Sequence, residues 1–184
     1  MKEHPVDRLF ESSRQYYYKR GDLPACDQKW KIFREQGSMT FDELAEVSRW
    51  KTGGRQDQNI ALNSDKAVRA VTTAAISVAR EVPGEPGIAV GILTALHGVE
   101  LPTASTVMTV WKPERFGILD IRAWHALCRA APAVFARVES KAGNRRPFRL
   151  EEANTYLRVI REVAALASLN CREVDKALYM LGKP

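Results

Sequence analysis

Two short runs hold the residue types and spacing from which a site could be built: Leu96-His97-Gly98-Val99-Glu100-Leu101-Pro102-Thr103-Ala104-Ser105 and Phe116-Gly117-Ile118-Leu119-Asp120. The first leads an apolar stretch through a glycine-containing turn into the start of another helix. Such a turn presents backbone N–H groups and the positive end of a helix dipole. It binds phosphate oxygens without reading base sequence, because the donors belong to the backbone. On these residues alone an ordinary helical hairpin is the other reading. The second run ends in a carboxylate just before a helical stretch, where an aspartate is a good N-cap worth about 0.5 to 2 kcal/mol.

Charge points the same way. The net charge is +6, and residues 112 to 149 carry nine cations, among them Arg115, Arg122, Arg145, Arg146 and Arg149, against Glu114, Asp120 and Glu139. An excess of this kind suits a polyanion such as nucleic acid. Lys51 and Arg55, in the polar stretch Lys51-Thr52-Gly53-Gly54-Arg55, are candidates to reach it, as is a basic loop at Arg145 and Arg146. Arg122 and His125 are candidates for phosphate or pocket contact, or for a solvated helix face. Trp124 is better read as core than as a base-stacking platform, and Tyr16, Tyr17 and Tyr18 as packing across a helix. The three histidines show no metal-ligand spacing, and Cys26, Cys128 and Cys171 are too few and too far apart for a four-cysteine site. No metal and no cofactor are expected.

The elements that must position these residues are helical. Thr40-Phe41-Asp42-Glu43 is a capping box, with Met39 and Leu44 as its hydrophobic staple. Residues 65 to 81, capped by Asn63 or Ser64, place Ala67, Val68, Val71, Ala74, Ala75 and Val78 on one stripe. Pro86 suits a first turn, and Ile88 to Leu96 is apolar nearly all round, as for a central buried helix that Gly98 ends. Pro102 to about Val110, Ile121 to Ala131, Glu151 to Ala167 and Cys171 to Leu181 follow, the last with Asn170 and Glu173 at capping-box spacing. Eight to ten helices are expected in all, and an all-α fold class. Phe116 to Leu119 is the one plausible strand, too short to make a sheet. Loops are expected at 20 to 25, 52 to 63, 82 to 85, 111 to 119 and 140 to 149.

At about 150 residues per domain, 184 residues make one domain, or one with a small lobe. The charged N-terminus and the lack of any apolar stretch near ~18 residues give no expectation of a signal peptide or membrane anchor, and a cytoplasmic monomer is expected.

Leu96, Gly98, Val99, Thr103 and Ala104 make the first run resemble the hairpin of the helix-hairpin-helix superfamily of DNA glycosylases, roughly Leu-Pro-Gly-Val-Gly-x-x-Thr-Ala. Asp120 lies 18 residues beyond Pro102, the spacing in that family between the lyase lysine and the invariant aspartate. The run into Asp120 and the helical Ile121-Arg122-Ala123-Trp124-His125-Ala126-Leu127 also look similar, so the core resemblance covers residues 86 to 130. Short bacterial relatives with a Trp-Lys pair such as Trp50-Lys51 and an ending like Val174-Asp175-Lys176-Ala177-Leu178 are similar as well. The resemblance implies two helical lobes flanking a cleft. Its implied partner is double-stranded DNA with a damaged or modified base, held through Gly98, Val99, Glu100, Leu101, Pro102, Thr103 and Ala104.

It also implies that Asp120 is catalytic. An ionised carboxylate there would stabilise the positive charge growing on the deoxyribose as the N-glycosidic bond breaks, and orient or deprotonate water. The base must first be flipped from the stack. Pro102 stands where bifunctional members carry the lysine, so no Schiff base forms from that position. Glu100 replaces the hairpin's second glycine. That costs about 1 to 2 kcal/mol if the backbone there is left-handed, and its charge repels phosphate. The iron–sulfur loop of some members is absent. The expectation is a monofunctional DNA N-glycosylase that leaves an abasic site, in repair or against modified bases of foreign DNA such as phage genomes. The alternative is a non-catalytic helix-hairpin-helix protein recognising distorted duplex; a helical interaction protein without DNA is a third reading.

Overall fold

The computed structural model describes residues 30–130 and 147–182. The expectations for Tyr16 to Tyr18, Cys26, Arg145 and Arg146 lie outside them. Nine helices occur among the described residues: α1 (Lys31–Gln36), α2 (Phe41–Thr52), α3 (Asp57–Ile60), α4 (Asp65–Glu81), α5 (Pro86–Leu93), α6 (Leu101–Trp111), α7 (Ile121–Ala130), α8 (Leu150–Ala167) and α9 (Cys171–Leu181). The protein is all-α. Among the described residues there is no strand, and Phe116 to Leu119 is irregular chain.

Local rules account for most helix starts. Thr40 Oγ1 accepts the Glu43 N–H at 3.2 Å while the Glu43 carboxylate accepts the Thr40 N–H at 2.7 Å, and Met39 and Leu44 are both fully buried. Ser64 Oγ accepts the Ala67 N–H at 3.2 Å and starts α4; Asn170 and Glu173 cap α9 reciprocally at 2.8 Å each. Each cap satisfies N–H groups that a helix start would otherwise leave bare.

Three expectations need correction. The buried stripe of α4 is Val68, Thr72, Ala75, Ile76 and Ala79, with Ala74 exposed. The helix is rotated toward Thr72 because that hydroxyl is satisfied twice, accepting the Met39 N–H at 3.0 Å and donating to the Val68 carbonyl at 2.8 Å. The central helix α5 ends at Leu93 rather than Leu96. Thr94, Ala95 and Leu96 continue as tightened turns whose N–H groups reach three residues back, to Gly91, Ile92 and Leu93. The expected loop 52 to 63 contains the single-turn helix α3.

α5 is central, packing on α4, α6 and α8. Its approach to α8 is close: a Cβ at Gly87 would stand 2.6 Å from Asn154 Cβ, and the Gly87 N–H donates to Asn154 Oδ1 at 3.0 Å. α9 packs on α7 and α8, and α2 on α6. Trp124 is core, as expected, stacked on Tyr156 with ring centroids 6.2 Å apart. No helix among the described residues is long and apolar enough to cross a membrane.

Candidate functional site

The turn between α5 and α6 is anchored from outside itself. Asn63 Oδ1 accepts the His97 N–H at 2.9 Å and Asn63 Nδ2 donates to the His97 carbonyl at 3.0 Å. Gly98 follows with φ +72°, and a Cβ there would lie 2.9 Å from Asn59 Cβ. Both the backbone and the close approach of the 59–60 segment demand glycine at this point. Glu100 has φ −90° and ψ 167° and is the N-cap of α6. It is extended, so the left-handed cost foreseen for it does not arise; its exposed side chain makes no cap bond. Pro102 sits in the first turn, where an N–H has no intrahelical partner to lose. Val99, Leu101, Thr103 and Ala104 turn their side chains into the core. What this turn offers outward is backbone, with the exposed His97 and Glu100 beside it.

The second run solves a different problem. Ile118 and Leu119 are buried, and buried peptide groups with no sheet to join must find partners elsewhere. Three helices supply them. Asp175 Oδ2 of α9 accepts the Ile118 N–H at 2.7 Å, Tyr156 of α8 donates its hydroxyl to the Ile118 carbonyl at 2.8 Å, and Ser105 Oγ of α6 accepts the Leu119 N–H at 2.9 Å. The same Ser105 hydroxyl donates to the Pro102 carbonyl at 2.9 Å. One hydroxyl therefore ties the first turn of α6 to the residue before Asp120.

Asp120 emerges from this bracket into a recess lined by Trp50, Lys51, Ile118, Arg172, Asp175 and Tyr179. Its Oδ1 accepts the Arg122 N–H at 2.9 Å, so it caps α7 as expected, and its Oδ2 accepts from Lys51 Nζ at 3.0 Å. Burial pushes the Asp120 carboxyl up, but Lys51 and the Arg122 N–H outweigh it and hold the group below the usual carboxylate range, ionised at neutral pH. Behind it, Asp175 pairs with Arg172, whose guanidinium lies 6.0 Å from the Trp50 ring centroid. Arg122 donates to the Tyr179 hydroxyl at 2.9 Å and lies over its ring. The recess itself has room for about one water molecule.

The expected site residues thus divide. Asp120 and Lys51 meet; Lys51, expected to reach DNA, is only 10% exposed and engaged by the carboxylate. Arg122 stands at the rim, while the turn joins Asp120 through Ser105. Arg55 is exposed in the turn after α2, and His125 on the outer face of α7. Sequence reasoning gave no role to Arg172 or Tyr179, and noted Asp175 only within the similar C-terminal run. A signal existed: Arg172, Asp175 and Tyr179 fall at i, i+3 and i+7 on α9, a stripe beside the apolar Cys171, Val174 and Leu178.

The recess thus brings together an ionised carboxylate paired with an ammonium, a second carboxylate paired with a guanidinium, and two aromatic rings. No family model matches the chain, and no curated protein or solved structure does either.

Proposed function

We propose that this protein is a monofunctional DNA N-glycosylase of the helix-hairpin-helix type. Its two helical lobes flank a cleft, and it hydrolyses the glycosidic bond of a flipped-out damaged or modified base and leaves an abasic site. The observation that supports this reading best is the Ser105 link. A hydroxyl shared between the Pro102 carbonyl and the Leu119 N–H couples a turn suited to phosphate with a carboxylate suited to a deoxyribose cation. A backbone grip on phosphate fixes the register of the strand, and a fixed register is what Asp120 needs to find C1′. A modified base of foreign DNA is as good a substrate in this reading as a lesion of the cell's own.

A flipped base is far larger than a water, so the recess must widen to admit one. The narrow recess and the capping bond of Asp120 favour a second reading, a non-catalytic module that recognises distorted duplex. Incubating the protein with duplexes carrying different base modifications, and scoring heat- or alkali-labile abasic sites, separates the two. Salt-sensitive binding with no base release from any duplex would leave the module.

A further inference from the structure

The inference concerns the carboxylate behind Asp120 and rests on the glycosylase reading. We propose that Asp175 is a positioning residue for Asp120, acting through the Ile118 peptide and the Arg172–Trp50 stack, so that the charge of one buried carboxylate in the last helix governs base release.

Asp175 is only 3% exposed, and both of its oxygens are engaged, one by the Ile118 N–H at 2.7 Å and the other by Arg172. The peptide it grips lies two residues before Asp120. The other two side chains in that bracket, Tyr156 and Ser105, are neutral hydroxyls, and burial first of all, with Asp175 and Asp120 nearby, holds the Tyr156 phenol well above its ordinary range. Asp175 differs from both. Burial pushes its carboxyl up to about 6, with Arg172 and the Ile118 N–H opposing the rise.

The charged and titratable groups around Asp175 are Arg172 and Cys171 on α9, Lys51 on α2, Asp120 on the connecting chain and Tyr156 on α8. Burial holds the Cys171 thiol up at about 11, so it stays neutral, and Asp120 stays ionised. Between pH 7 and pH 5 Asp175 is the member of this set that changes charge. Protonation turns a charge-assisted bond to Ile118 into an ordinary one. It also removes the counter-charge of Arg172, which covers the Trp50 wall beside Lys51. With that bond weakened, the Ile118 peptide is held chiefly by Tyr156 and Ser105, and a small shift of it carries the Asp120 carboxylate along.

Unfolding does not explain a loss in that window. A carboxyl whose folded pKa is raised holds its proton more tightly in the folded state, so its contribution to stability grows as pH falls from 7 to 5. Asp120, with a lowered folded pKa, withdraws stability only as pH falls below the unfolded value of about 3.9.

Nitrogen-15 amide spectra and carbon-13 carboxyl spectra of the wild-type protein, recorded from pH 7.5 to pH 5, test the coupling without a substrate. The Ile118 amide and the Asp120 carboxyl carbon should move together with a midpoint near 6, and Asp175→Asn should abolish both movements. Base release from duplex DNA treated with dimethyl sulfate should fall about tenfold in kcat between pH 7 and pH 5, with KM unchanged, and be flat in Asp175→Asn. An Asp120 signal that ignores the Asp175 titration in the wild type overturns the proposal, as does an acid limb that persists in Asp175→Asn. If no treated duplex loses a base at any pH, methylated bases are excluded as substrates of the glycosylase reading, and the NMR titration still decides the role of Asp175.

Discussion

Lys51 Nζ lies 3.0 Å from Asp120 Oδ2, and each charge sits at the helix end that favours it. Lys51 is in the last turn of α2, where unsatisfied carbonyls make the pole negative; Asp120 precedes α7, where bare N–H groups make it positive. Two helices thus meet end to end through a partly buried ion pair that each dipole reinforces. The pair opposes the burial that pushes this carboxyl up and, with the Arg122 N–H, holds it below its ordinary range.

Removing that ammonium has a defined electrostatic result. In Lys51→Met the burial of Asp120 goes unopposed by its nearest cation, and its pKa rises. The depressed pKa of the wild type contributes stability above the unfolded value of about 3.9 that is lost as pH falls through the folded one. The variant lacks it. We expect a loss of about 1 to 3 kcal/mol at pH 7, between the surface and buried extremes, shrinking as pH falls below 4. Urea titrations at pH 7 and pH 3.5 check this; an equal gap at both would contradict it.

Asp120→Asn keeps an acceptor for the Arg122 N–H and so keeps the cap, but loses the charge. Losing the pair with Lys51 should cost about 1 to 3 kcal/mol of stability, as in Lys51→Met, with duplex affinity within a few-fold of the wild type, while base release falls ~100-fold or more. A single-turnover assay on a duplex the wild type cleaves is the measurement. Unchanged activity would remove Asp120 from the chemistry.

The hairpin is anchored at two points that can be cut separately. Asn63→Ala leaves the part-buried His97 peptide short of both Asn63 bonds, at about 1 kcal/mol. Gly98→Ala forces a Cβ against Asn59 at 2.9 Å and a left-handed backbone on alanine, the latter alone costing about 1 kcal/mol. Both should weaken duplex binding more than they weaken the fold, read as a larger change in Kd than in the unfolding midpoint scaled to the same units. A turn irrelevant to DNA would show stability loss alone.

Proline at position 102 supplies no amine, so base release should leave the strand intact until heat or alkali is applied, and borohydride should trap no protein–DNA adduct. Lys51 stands beside Asp120 and is the control. An adduct that disappears in Lys51→Arg would show that α2, and not the hairpin, delivers a nucleophile.

If the hairpin and its neighbouring cations neutralise roughly four phosphates, log K for duplex DNA should fall with log salt at a slope near −3.6. Fluorescence anisotropy from 50 to 300 mM salt gives the slope. Affinity indifferent to salt would leave the chain a helical interaction protein without DNA.

How much of this was legible beforehand follows from the range over which each cause acts. The boxes at Thr40 and Asn170, the cap at Ser64 and the Asp120 cap are contacts among residues within four positions of one another. Residue order alone determines such contacts, and with them the all-helical class. The meeting of Lys51 with Asp120 spans 69 residues, that of Ile118 with Asp175 spans 57 and that of Ser105 with Leu119 spans 14. An apolar stripe ≳ 100° wide fixes which face of a helix goes inward only to within a residue or so. α4 turned by about that much to satisfy Thr72. Which polar residues at the stripe's edge end up facing each other is therefore decided when the helices pack, since only then are rotation and crossing set by the need to fill space and to pair every buried polar group. Asp175 was an ordinary helix residue in the sequence; it became part of the site because the chain before Asp120, lacking a sheet, had a buried N–H that nothing local could bond.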